Sequence, residues 1–427
     1  MNIEFNTKIE LNFENILENS IFFIMIFEIV IGRWLFLSRP LSYLLSMLIL
    51  AHFVINFYGY MRMKFSLFSM MMVILYFFIN NRVCHGSSEI LMSNLKIIIP
   101  SLLSLLFVSY ELRNEKSFLF SKINFTGILL NIYYVINVPV LLLQLRGNTS
   151  LSGIHPEGVM NTMSEDLISG LLGYNGTPVL ALFICFMFFF NLFLIKRTED
   201  HLLKIVFHLY NFLMTLFMAW ISINNDNKFV FILFVIFGIV YFIFYSNFAK
   251  EDILEKLKKI FPVTFLLLVS GFIIYGLVKH LTFLNEIVSK IFLRIQEGVM
   301  LAEKATGSAE RIGGIIFALK DEEFAFWGRG LGEVTWRQPH AFGFYHFGQS
   351  DLSVFLILGG IILVALISIF LFSSFKVYEK ISLESILMSI MILTLMTYTQ
   401  VFTEYSFMYL TLFFVILCYL NLQEDEK

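Results

Sequence analysis

The chain alternates long apolar runs with short polar breaks, and the length of the runs decides what they are. A helix that crosses the hydrocarbon needs about 20 apolar residues, because each adds about 1.5 Å. Twelve stretches fit: 21–37, 41–58, 65–80, 91–110, 123–145, 178–196, 203–224, 228–246, 262–280, 351–372, 384–401 and 405–422. The pattern predicts an all-α polytopic membrane protein of about twelve transmembrane helices. Ahead of the first run, Ile9, Phe13, Ile16 and Leu17 follow helical spacing and predict an amphipathic lead-in along the membrane surface. Glu4, Glu10, Glu14 and Glu18 against a single Lys8 are the wrong start for a cleavable secretory signal.

The polar breaks carry the orientation. Arg62 and Lys64; Arg113, Lys116 and Lys122; Lys196, Arg197 and Lys204; Lys250, Lys256, Lys258 and Lys259; and Lys376 with Lys380 fall on alternate connections, sharing a side with both termini. Lys and Arg in short connections resist translocation, so that side is expected to be cytoplasmic. The opposite short connections hold only Arg39, Arg82, Arg146 and Lys228. Two outer connections are long, at 146–177 and 281–350. The chain therefore divides into nine spans with the smaller outer loop (1–280), the large outer loop (281–350) and three closing spans (351–427). In the large loop Ile287, Ile291, Ile295 and Val299 repeat about once per helical turn, and Ile312, Ile315, Ile316 and Leu319 form a second stripe. Two interfacial helices packed over the bundle are expected there, followed by an irregular glycine-rich segment.

Composition narrows the function classes. At 58% hydrophobic, 15% charged and a mean hydropathy of +0.80, the chain is neither a soluble enzyme nor disordered. A net charge of −2 gives no electrostatic reason to bind nucleic acid. Cys84, Cys185 and Cys418 are too few and too scattered for a disulfide framework or a metal site. The 51 phenylalanines read as lipid-facing bulk. Glu28, near the middle of the first span, needs a proton or a partner, for which His52 and Asn56 are the candidates.

Candidate chemistry sits in the outer loops. The string SAERIGGIIFALKDEEFAFWGRGLGEV, from Ser308, puts Arg311 near the start of an amphipathic helix and Arg329 among three alternating glycines. Backbone N–H groups there can approach an anion unobstructed, and a guanidinium can grip phosphate oxygens bidentately. The plainer alternative is that both arginines reach to lipid headgroups and the glycines only turn the chain. Beyond them, His340 and His346 lie just outside the membrane, where an imidazole exchanges protons near neutral pH, and Asp351 lies at the outer mouth of the next span. Two histidines six residues apart with no Cys nearby make no zinc site. In the smaller loop, RGNTSLSGIHPEG offers Arg146 for a diphosphate and His155 with Glu157 for a glycan.

The order of Arg, amphipathic helix, Gly-x-Gly turn, His/Asp segment and a helix interrupted at Gly359-Gly360 resembles the membrane family of O-antigen polymerases and O-antigen ligases. DLISGLLGYNGTPVLAL, from Asp166, and SINNDNKFVFILF, with Lys228 opening a span, are similar to segments of that family. Gln349 stands where relatives often carry His, with His346 the best substitute. The resemblance implies a GT-C-like fold and metal-independent, cofactor-free glycosyl transfer at the outer face of the bacterial inner membrane. The donor it implies is an undecaprenyl-diphosphate-linked oligosaccharide, with membrane lipid and a chain-length regulator protein as further partners. Arg311, Arg329, Arg146, Lys228 and Arg337 would then hold the diphosphate, and His346, His340, Asp351 or Glu157 would align a sugar hydroxyl. Repeat-unit polymerisation is the first expectation and ligation of glycan to lipid A core the nearest rival. A lipid-linked oligosaccharide flippase comes third, because its charges should line a central cavity.

Overall fold

The computed structural model describes residues 13–114, 116–148, 151, 153, 168–173, 176–225, 229–245, 289, 293, 296, 308–320, 325–336, 340–342, 345–347, 350–376 and 383–422. The protein is a helical polytopic membrane protein. In chain order the helices are α1 (Phe13–Phe27), continued by a π-helical turn (Glu28–Gly32), α2 (Ser38–Ile55), α3 (Phe57–Met61), α4 (Lys64–Val83), α5 (Ser88–Asn114) and α6 (Lys116–Leu145). A 3-10 turn (Gly170–Leu172) precedes α7 (Thr177–Arg197), α8 (His201–Asn224), α9 (Phe229–Tyr245) and α10 (Ser308–Lys320). Strands β1 (His340–Phe342) and β2 (Tyr345–Phe347) form an antiparallel hairpin, followed by α11 (Asp351–Phe375), α12 (Leu383–Tyr398) and α13 (Tyr405–Leu422).

Among the described residues eight helices are long and apolar enough to cross a membrane, and three shorter apolar ones lie within α9, α12 and α13. The run at 262–280 and most of the first interfacial stripe, 287–299, lie outside the described residues. One expectation is corrected at the start of the chain. Residues from Phe13 onward are part of the first span and not a separate surface helix, with Leu17 and Glu18 buried in the bundle.

The bundle is built around α13, whose residues from Tyr405 to Leu420 are buried and which packs against α5, α6, α7, α9 and the π turn. Lipid cannot supply hydrogen bonds, so polar groups inside must pair with each other. Asn191 on α7 does so twice, donating to Asn131 on α6 and to Asn211 on α8 at 3.3 and 2.8 Å. The α10 stripe is also corrected. Its fully buried side is the small one, Gly313, Gly314 and Ala318, with Gly314 set against Ser353 of α11, while Ile312, Ile315 and Ile316 are only partly covered and Leu319 is exposed. Small residues let two helix backbones approach closely, which outweighs what the bulkier stripe would gain.

α11 is broken at Gly360 (φ 66°, ψ −172°), about 13 Å along its length. That conformation is open only to glycine, and a Cβ would run into the Phe326 carbonyl and the Gly328 nitrogen. Gly360→Ala is therefore expected to cost more than the strain alone, which is about 1–3 kcal/mol. A lowered midpoint in detergent thermal unfolding, larger than that of Gly238→Ala at an uncrowded position of α9, would show it; equal midpoints would not fit.

Candidate functional site

One end of the bundle gathers the turn 33–37, the connection 84–88, the 3-10 turn at 170–172, the segment 325–336, the start of α11 and the connection 399–404. The segment 326–332 is a wedge driven into it. Its Arg329 and Gly330 N–H groups donate to the Ile357 and Leu358 carbonyls of the broken helix at 2.7 and 2.9 Å. Tyr76 of α4 donates to the Gly359 carbonyl at 2.7 Å. Asn80 clasps the wedge with both ends of its amide, donating to Trp327 (2.6 Å) and accepting from Leu331 N–H (2.8 Å). Asn94 of α5 does the same one turn further on, donating to Leu331 and Val334 and accepting from Trp336 N–H. Gly328 takes a positive φ with its α-carbon pressed on the Leu358–Gly360 backbone, where no side chain fits.

This corrects the reading of the alternating glycines as an anion cradle. Their N–H groups at Arg329 and Gly330 are spent on the carbonyls freed by the helix break, so they are not presented to a phosphate. The Arg329 side chain is exposed and pairs with Glu333 at 2.9 Å. Arg311 lies half-buried on α10, which packs on α11 and beside β2. Arg146 is exposed in the turn that ends α6. His340 pairs with Phe347, and Ala341 with His346, in the hairpin that leads into α11. Glu157, Lys228 and Arg337 lie outside the described residues, as do His155 and Gln349.

Asp351 is corrected too. It does not stand open at a helix mouth but is fully buried: its carboxylate accepts from the Phe402 N–H and the Thr403 hydroxyl, and its own N–H donates to the Thr399 carbonyl. Ser350 caps the same helix end by accepting from Ser353 N–H. Asp351 thus ties α11 to the 399–404 connection and offers no face to a sugar.

What that tie positions is a pair that the hydrophobic pattern hid. Arg33, which falls inside the apolar run 21–37, forms an ion pair with Glu404, their side chains only 10% and 27% exposed. Two neighbours away, Glu28 accepts from Ser406 at 3.2 Å, so its partner is neither His52 nor Asn56. The π-helical turn makes this possible, since its extra residue per turn carries Arg33 round to the α13 side. A charge within an apolar run is the signal that would have found it, because such a charge needs a partner. Two residues of the connection 146–177 lie against the turn that carries Arg33: Trp34 donates to the Leu151 carbonyl at 3.0 Å, and Gly173 packs on the Arg33 backbone. Both non-glycine residues with positive φ among those described, Phe36 and His85, occupy turns at this end, where strain is held by the surrounding packing.

Chemically, the end offers a guanidinium fixed by a carboxylate, with Arg146, Arg329 and Arg311 on other elements of the same end. Such an arrangement can hold an anionic oxygen without reorganising. Ligand-type side chains for a metal converge elsewhere. Against the expectation from sequence, Glu14, Glu18 and His52 come together, but at the opposite end of the bundle. Comparison with models of protein families, with curated proteins and with solved structures finds no match.

Cys84 reports on the wedge. It is half-buried against Gly330 while Cys185 and Cys418 are buried. Burial, with Glu333 nearby, pushes its thiol up from the usual range, so labelling by a maleimide is expected to be slow at pH 7.5 and still accelerating above pH 9. Asn80→Ala leaves the Leu331 N–H unsatisfied at a cost of about 1–3 kcal/mol, enough to raise the labelling rate about fivefold or more. An unchanged rate would mean that Asn80 does not hold the wedge.

Proposed function

We propose that this protein is a membrane glycosyltransferase of the polymerase type. It joins undecaprenyl-diphosphate-linked oligosaccharide repeat units into a polysaccharide of O-antigen or capsule type, at the outer face of the bacterial inner membrane. The observation that carries the reading is the largely buried Arg33–Glu404 pair, at the end of the bundle where the segment 326–332 is inserted. The Lys/Arg bias of the connections supports the same orientation, with both termini cytoplasmic and the Arg33 end outside.

In this reading the bond that breaks joins the sugar C1 to the diphosphate, and the lipid diphosphate leaves with the electron pair. The leaving group gains negative charge, which Arg33 is placed to stabilise, joined by Arg311 or Arg329 from the large loop. The attacking sugar hydroxyl loses its proton to a base among Glu404, His340 and His346; Asp351, sealed by its own donors, is not among them. A twelve-span GT-C-like architecture and a chain-length regulator as partner belong to the same proposal. A flippase is disfavoured because α13 fills the bundle axis with buried side chains, leaving the charged groups at the ends.

Purified protein in nanodiscs, given a defined lipid-diphosphate oligosaccharide repeat, is expected to yield a ladder of longer products. Arg33→Ala should abolish the ladder and Arg33→Lys should keep part of it, since Lys retains charge but loses the planar fork. Full-length ladders from Arg33→Ala protein that elutes normally would remove Arg33 from the leaving-group site. For orientation, a membrane-impermeant maleimide at pH 9 should reach Cys84 in spheroplasts but not in inverted vesicles; the reverse pattern would place the site on the cytoplasmic face.

A further inference from the structure

At the end of the bundle opposite Arg33, three helices bring ionisable side chains into the apolar interior. His52, near the end of α2, is fully buried; Glu18 of α1 and Glu111 of α5 are buried beside it. Its Nε2 lies 3.5 Å from Glu18 Oε1 and 3.6 Å from Glu111 Oε1. Charge-assisted hydrogen bonds between such groups run about 2.7–2.9 Å, so these are not well-formed ones. The His52–Glu18 separation instead approaches the edge of a tetrahedron of ligands around one ion, about 3.3–3.4 Å for metal–ligand bonds of about 2.0–2.1 Å. A ligand oxygen of Glu14, one turn before Glu18, falls within 4.8 Å of the ligand atoms of both Glu18 and His52.

The imidazole is prepared for this. Nδ1 lies 3.0 Å from the Tyr60 hydroxyl, and in the tautomer that donates to it the Nε2 lone pair faces Glu18. The rings of Phe107, Tyr110 and Tyr60 meet it edge-on at 5.2, 5.4 and 5.7 Å and fix its plane. The Asn56 amide stands 3.1 Å from Nε2, and a half-turn of that amide presents oxygen in place of nitrogen. Glu14, half-exposed in the first turn of α1, provides the way in.

We propose that Glu14, Glu18 and His52 bind one divalent cation of the zinc class, which clamps α1 and α2 together. This site is separate from the proposed glycosyl-transfer end and stands or falls independently of it.

The test is metal content. Protein purified through a non-histidine tag, equilibrated with zinc and desalted, should retain about one zinc per chain by mass spectrometry. His52→Gln and Glu18→Gln should lower that at least tenfold, whereas Glu384→Gln, a buried carboxylate on α12 outside the cluster, should not. Wild-type protein without zinc, or His52→Gln with undiminished zinc, overturns the proposal. Should the ligand variants fail to accumulate, cobalt-loaded wild type decides: strong visible bands of a four-coordinate ion, with affinity weakened about 10–100-fold in Tyr60→Phe, support the site. Absent bands, or unchanged affinity in Tyr60→Phe, refute it.

Discussion

In hydrocarbon a carbonyl that loses its helical partner has no water to turn to, and the architecture of this protein follows from that constraint at one place, the break in α11. Gly360 frees the Ile357, Leu358 and Gly359 carbonyls. The donors that meet them come from Arg329, Gly330 and Tyr76, so a piece of the connection before α11 becomes part of the interior. The rest of that end is built to hold the piece in place: two asparagines with every amide atom engaged, glycines where backbones touch, and a carboxylate at Asp351 that pins the following connection. A loop rooted in this way presents its remaining side chains at fixed positions. For a reaction in which charge develops on a leaving group, fixed cations are worth more than mobile ones.

The layering of polar groups fits the dielectric gradient they sit in. Both ends of the bundle hold charged clusters, Arg33 with Glu404 at one and His52 with Glu18 and Glu111 at the other. Between them the Asn131–Asn191–Asn211 ladder uses neutral amides, which bond across helices without carrying charge into the centre. The C-terminal end of α11 is treated like its break, with Arg113 and Tyr419 donating to its last carbonyls. One helix is thus secured by side chains of α4, α5 and α13 as well as by the wedge.

Spans were legible in the sequence because hydropathy is local, and the helices follow the apolar runs to within a few residues at most ends. Pairings were not legible, because they join residues far apart in the chain. Glu28 lay in plain view but its partner, Ser406, is on the last helix, and the run that contains Arg33 gave no hint of Glu404. The α10 stripe misled for a different reason: amphipathicity identifies the apolar side, whereas close packing against another helix selects the small side. The wedge glycines were read correctly as permitting close approach, but what approaches is the protein's own backbone. Lengthening the first span back to Phe13 required knowing that Glu18 meets His52, since four glutamates in a row of polar residues otherwise argue for the surface.

The clasp between Asn80 and Trp327 spans 247 residues of chain, and that between Asn94 and Leu331 spans 237. During synthesis at about 5–20 residues per second, α4 and α5 enter the bilayer roughly 12–50 s before their partners exist. For that interval two amides and a tyrosine hydroxyl face lipid or whatever the insertion machinery offers them. The half-built protein is therefore at its most vulnerable late in translation, and the arrival of the wedge is the event that converts a loose set of inserted helices into a closed bundle.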